Sequence, residues 1–88
     1  MKWTINYSRN ADRFIHAEGI EGEVKSRIED FIRKLRGESI NIDVKKLKGG
    51  WRGYFRIRKG KLRVIFSLDT AGRSVYVERV DFRGDAYK

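Results

Sequence analysis

The stretch from Tyr54 to Ser67, Tyr-Phe-Arg-Ile-Arg-Lys-Gly-Lys-Leu-Arg-Val-Ile-Phe-Ser, constrains the fold more than any other part of the chain. Apolar residues alternate with others on both sides of Lys59-Gly60, and a two-residue gap containing Gly is a hairpin signal. Taking Lys59 and Gly60 as the turn sets Arg58 opposite Lys61, Ile57 opposite Leu62, Arg56 opposite Arg63 and Phe55 opposite Val64. Phe55, Ile57, Leu62 and Val64 then share the core face, and Arg56, Arg58, Lys61 and Arg63 share the other. Like charges facing each other across a ladder cost up to about 1 kcal/mol per pair. A bound anion would explain such a patch, and a solvated face with splayed side chains is the plainer reading.

The rest of the chain supplies what this hairpin packs against. Trp3, Ile5 and Tyr7 alternate with Lys2, Thr4 and Asn6, the pattern of a first strand. Ser8 or Asn10 is placed to cap a short helix over about Ala11 to Glu18, with Phe14 and Ile15 inward. Gly19 and Gly22 punctuate, and a longer helix follows from about Gly22 to Arg36, stopped by Gly37. Val24, Ile28, Phe31, Ile32 and Leu35 form its apolar stripe. Between Ser39 and Gly50 two readings stay open: Ile40, Ile42 and Val44 alternate like a strand, yet Asp43 to Lys48 has room for a helical turn. Thr70 to Arg73 reads as a turn into a last strand from Ser74 to about Val80. Arg79 falls on the core parity of Val75 and Val77, which requires either a bulge or a strand that runs past the core edge.

Charge bounds the function. Lys and Arg number 21 against 12 Asp and Glu, a formal net charge of +9 on 88 residues, which favours a polyanionic partner. Lys45, Lys46 and Lys48 precede the hairpin, and Trp51-Arg52 sets an aromatic beside a cation, a combination that stacks on bases as well as at sheet edges. The chain has no cysteine and one histidine, His16, which excludes a disulfide framework, thiolate chemistry and a Cys/His zinc site. Asp69, Asp81 and Asp85 read as scattered turn or tail acids, so no metal site is expected. The length suits one domain, residues 1–88, with a small core. No apolar stretch reaches membrane-span length and no signal-peptide core is visible, so a cytoplasmic protein with no membrane partner is expected. The charged content of 38% also matches what a thermophile's protein looks like.

Three segments carry a resemblance when taken in order: Lys-Lys-Leu-Lys-Gly at 45–49, Tyr-Phe-Arg-Ile-Arg-Lys-Gly-Lys-Leu-Arg-Val-Ile-Phe at 54–66, and Arg-Val-Asp-Phe-Arg-Gly-Asp-Ala-Tyr-Lys at 79–88. After a strand and a helical hairpin, this succession resembles the RelE/ParE toxin superfamily across essentially the whole chain. The resemblance implies an α+β fold, with two N-terminal helices packed on one face of a small, mostly antiparallel β-sheet. It implies the toxin of a type II toxin–antitoxin system, partnered by a cognate antitoxin. For the RelE branch it implies a ribosome-dependent endoribonuclease that cuts messenger RNA in the ribosomal A site. The chemistry is metal-free and needs no cofactor: the 2′-hydroxyl attacks the adjacent phosphate in line. By the same resemblance Arg56, Arg63, Arg83 and Tyr87 are the catalytic candidates. The resemblance gives Arg58 a binding role, and Lys61, Lys45, Lys46, Lys48, Trp51 and Arg52 join it as RNA-binding candidates on their charge and stacking chemistry. Some relatives carry lysines at the positions of Arg56 and Arg58 and a His or Lys at that of Phe82. Arginine effectively never gives up its proton, which shifts the general-base role to Tyr87. The alternatives are a ParE-like gyrase-inhibiting toxin and a basic RNA- or ribosome-binding domain without cleavage activity.

Overall fold

A computed structural model describes residues 2–82. The elements run β1 (Thr4–Tyr7), α1 (Arg9–Glu18), α2 (Glu21–Leu35), β2 (Asp43–Lys46), a 3-10 turn (Gly49–Trp51), β3 (Tyr54–Lys59), β4 (Leu62–Asp69) and β5 (Ser74–Phe82). The strands form one five-stranded sheet in the order β1-β5-β4-β3-β2. Only β1 and β5 run parallel, and every other neighbouring pair is antiparallel. Both helices lie on one side of this sheet, in the α+β arrangement expected from the sequence.

The helix ends follow their capping chemistry. Ser8 is the N-cap of α1, and its Oγ accepts from the Ala11 amide at 3.0 Å. At the end of α2, Gly37 takes φ +94, and the amides of Gly37 and Glu38 bond the carbonyls of Lys34 (3.0 Å) and Arg33 (3.1 Å). That pair of bonds is the Schellman stop, and the left-handed residue it needs is why a glycine sits there. The α2 stripe packs inward through Val24, Ile28, Phe31 and Ile32. Leu35, expected to join them, is 49% exposed, because it ends the helix beyond the last residues that meet the sheet.

The core lies between the helices and the facing side of the sheet. Ile57, Val64, Phe66, Val75 and Val77 are buried there with the helical stripe. Phe31 is the link: its ring sits 4.9 Å from that of Phe66 and 5.5 Å from that of Phe55.

The hairpin keeps its faces but not its expected register. The turn residues are Gly60 and Lys61, so Lys59 pairs with Leu62, Arg58 with Arg63, Ile57 with Val64 and Phe55 with Phe66. Gly60 opens the turn at φ +59, where two-residue II′ turns carry glycine. The shift also stacks Phe55 on Phe66, with centroids 5.6 Å apart. An aromatic cross-strand pair contributes roughly 0.2–1 kcal/mol. Moving both partners by one residue preserves parity, which is why the face assignment survives an incorrect register. Lys61, expected on the arginine face, sits in the turn instead, with Nζ 4.9 Å from the Phe82 ring centroid.

Two open readings are decided. Asp43–Lys46 is a strand rather than a helical turn, paired with β3 so that Val44 meets Ile57 on the core side. A bulge between β4 and β5 settles Arg79: Phe66 pairs with Val77, Ile65 pairs with Arg79, and Glu78 is the extra residue. Parity flips there, so Arg79 leaves the core side and Val80 returns to it, 5% exposed. The start of α1 holds this bulge. The Ser8 Oγ donates to the Glu78 carbonyl at 2.7 Å, and the Ser8 amide donates to the Val77 carbonyl at 2.8 Å.

Candidate nucleic-acid interface

The strands alone build the side of the sheet away from the helices, and register orders its side chains in rows. One row crosses four strands as Lys45, Arg56, Ile65 and Arg79. The next, nearer the hairpin tip, crosses as Asp43, Arg58, Arg63 and Asp81. A third, toward the other end, runs Tyr54, Ser67, Tyr76 and Asn6.

The arginines do not lie unopposed. Asp43 forks between two of them, accepting from Arg56 Nη2 at 2.8 Å and from Arg58 Nε at 2.7 Å. These are charge-assisted distances. Repulsion among the arginines is a reason to expect a bound anion, but Asp43 already supplies an internal one. Arg56 is the more enclosed partner, its side chain 11% exposed against 51% for Arg58. Its Nε is buried and has no hydrogen-bond partner among the described residues.

Arg63, directly opposite Arg58, folds toward the turn, where its Nη1 donates to the Gly60 carbonyl at 2.7 Å and the Leu62 carbonyl at 3.2 Å. Its neighbour on β5, Asp81, accepts from the Phe82 amide through Oδ1 at 2.7 Å. Asp81, a scattered turn or tail acid by sequence, is a strand residue of this face, because β5 continues to Phe82. At the bulge, the Tyr54 hydroxyl approaches Glu78 Oε1 at 3.5 Å. Burial first, and then the neighbouring Glu78 charge, push the Tyr54 phenol above its ordinary value.

The remaining candidates are spread out. Lys45 shares the arginine face opposite Arg56, whereas Lys46 pairs with Phe55 and falls on the helix-side parity. Lys48 precedes the 3-10 turn and is exposed, as is Arg52. Trp51 is half-buried, edge-on to Tyr54 with centroids 5.4 Å apart, which attaches it to the third row. Phe82 lies on the helix side, 5.3 Å from the Phe14 ring. Arg83 and Tyr87 lie outside the described residues.

Sequence reasoning missed Asp43, Arg79, Tyr54, Glu78 and Asp81 on this face. Arg79 carried a signal, its conflict with the core parity. Asp43 carried none, since its partners lie 13 and 15 residues away. Among the described residues, no group of three or more His, Cys, Asp or Glu side chains is arranged to hold a metal ion, and no helix is long and apolar enough to cross a membrane.

No family model and no curated relative matches the sequence. Solved structures do match the fold. The RelBE2 toxin–antitoxin complex from Mycobacterium tuberculosis contains a chain with TM-score 0.62 and 22% identity, covering 94% of this chain and 100% of that one. The archaeal RelE–RelB complex from Pyrococcus horikoshii OT3 gives TM-score 0.60 at 23% identity over 98% and 100% of the two chains. YafQ from E. coli gives 0.64 at 13% identity over 99% and 100%.

Proposed function

From a chain with the RelE-like toxin fold, we propose the toxin of a type II toxin–antitoxin pair, acting as an endoribonuclease on messenger RNA in the ribosomal A site. The observation that carries this reading is the gathering of Arg56, Arg58, Arg63 and Arg79 on the side of the sheet that the helices leave uncovered. Guanidinium groups suit phosphate because each offers a planar fork of donors. The 2′-hydroxyl attacks the adjacent phosphorus in line and the 5′-oxygen leaves, giving a 2′,3′-cyclic phosphate and a free 5′-hydroxyl. Arg56 and Arg63 stabilise the charge on the pentacoordinate phosphate, and Arg58 binds the strand. Arg83 binds the phosphate beside the leaving 5′-oxygen, which takes its proton from water, and Tyr87 takes the 2′-hydroxyl proton or stacks on a base. No step draws on a metal. The partners on this reading are the cognate antitoxin and the translating ribosome, in the cytoplasm.

The test is primer extension on a defined message in a translating extract, with wild-type protein and Arg63→Ala, each with and without EDTA. Ribosome-dependent cuts that survive EDTA and fall about 10²–10³-fold in Arg63→Ala support the assignment, the loss typical of removing one donor to transition-state charge. A folded wild-type protein that cuts nothing removes it. The Asp43 fork favours a second reading, a binding domain without cleavage, because it occupies donor edges of two arginines. RNA binding without cuts distinguishes that case.

A further inference from the structure

A cleft of about 470 Å³ opens at the hairpin tip, where α2, the approach to β2 and the β3–β4 turn converge. Arg27, Lys59, Arg58 and Arg63 line it, with Asp43 as the one carboxylate among the described residues and Asn41 as a neutral donor and acceptor. Arg58 and Arg63 belong to both the arginine face and this cleft, so the two are continuous around the end of the sheet. Arg27 and Lys59 reach it from the other side. Lys59 is exposed and pairs with Leu62 on the helix-side parity, and Arg27 borders the apolar stripe of α2.

Arg27 stands half-buried at the edge of the cleft. Its side chain is 22% exposed, with Nη2 3.2 Å from Ser26 Oγ and 3.4 Å from Asp30 Oδ2. Its Nε is buried without a hydrogen-bond partner among the described residues. Asp30 and Ser26 hold Arg27 at the rim of the cleft, where its side chain is still partly exposed. The cleft falls within the size range of ligand sites, and among the described residues Asp30 pairs with Arg27 and Asp43 with Arg58, which leaves Lys59 and Arg63 as the surplus of positive charge that favours an anion.

We propose that this cleft is a second backbone-phosphate site for single-stranded RNA, in which Arg27 and Lys59 hold a phosphate of the strand after it leaves the arginine face around the hairpin tip. The inference rests on the reading that the arginine face binds RNA. Among the described residues no aromatic ring lines the cleft, so these residues grip backbone and add affinity without sequence preference. Its continuity with the arginine face favours one strand over a separate acidic peptide.

The test uses the full chain and a 2′-O-methyl oligoribonucleotide of about 12 nucleotides, which cannot be cut, alongside a trinucleotide of the same chemistry. Anisotropy titrations run from about 50 to 200 mM salt. Relative to wild type, Arg27→Gln/Lys59→Gln is expected to bind the long strand about tenfold more weakly at low salt, with the log–log salt slope reduced by about 0.7. Trinucleotide binding is expected to stay unchanged. Lys59→Gln alone, at an exposed position, should show a smaller loss in the same direction, so a folding defect in the double variant leaves the test intact. Equal affinity and slope for variant and wild type on the long strand overturns the cleft site and leaves the arginine face standing. So does an equal loss on both probes. A variant that loses only binding to poly-glutamate reassigns the cleft to an acidic protein and overturns the proposal. A wild-type protein that binds neither probe removes the RNA reading itself, and this inference with it.

Discussion

On the helix side of the sheet, Ile57, Val64, Phe66, Val75 and Val77 are at most 1% exposed and meet Val24, Ile28 and Phe31. On the other side the same strands turn out Arg56, Arg58, Arg63 and Arg79, interleaved with Asp43, Asp81 and Glu78. The two faces share every backbone hydrogen bond of the sheet but depend on different physics. Apolar burial is non-directional, so any neighbouring apolar group contributes, and a register shift that keeps parity leaves the core chemically similar. Ion pairs and donor forks act over a few ångströms and in one geometry, so the same shift changes which cation meets which carboxylate. The core therefore tolerates an imprecise reading that the charged face does not. Ile65 lies between the two regimes: it is fully buried yet belongs to the arginine face, in the row of Arg56 and Arg79.

The largest effect should come from breaking the apolar side. Phe66→Ala leaves a cavity between Phe31 and Phe55 and is expected to cost about 3–5 kcal/mol in urea unfolding. Arg63→Ala, on the other side of the same strand, is expected to change stability by less than about 1 kcal/mol. Comparable losses in the two variants would mean that the faces are not energetically separate.

An intermediate effect sharpens the role of the Asp43 fork. Asp43→Asn removes the charge that engages Arg56 and Arg58. Asp43 and Arg58 are substantially exposed but Arg56 is enclosed, so the stability loss should be about 1–3 kcal/mol, below that of Phe66→Ala. Affinity for an uncleavable oligoribonucleotide should rise a few-fold, with a steeper salt dependence, because a phosphate no longer competes with the carboxylate. A fall in affinity would instead show that Asp43 aims the arginines.

The smallest effect lies away from both faces. His16, exposed in the last turn of α1, is raised above 6.5 first by its hydrogen bond to the Asp12 carbonyl and then by the Asp12 charge, with Glu21 adding to it. A folded-state value above the unfolded one contributes stability that is fully present below about pH 6.5 and is lost as pH rises through the folded value. Denaturant unfolding should therefore show a slight decline across that window, absent in His16→Gln, while uncleavable-RNA binding follows no such His16-dependent step. Loss of that binding in His16→Gln would tie α1 to the charged face.

The sequence alone determined what depends on neighbours in the chain. Period-two alternation set the faces of β3 and β4, helical spacing set the α2 stripe, Gly37 marked the end of α2, and the start of α1 was narrowed to Ser8 or Asn10, because these are preferences of one to four consecutive residues. It identified Arg56, Arg58 and Arg63 as one cluster for the same reason. Tertiary structure decided which residues meet across the sheet. Asp43 reaches its arginines because β2 pairs with β3 in one register, and that pairing has no local mark in an ambiguous segment. Arg79 joins the charged face because a single extra residue, Glu78, reverses the parity of β5, and the Ser8 hydroxyl stabilises that bulge from 70 residues away. Local periodicity assigns a side chain to a face, whereas its partner there is set by register and bulge, which are properties of two strands at once.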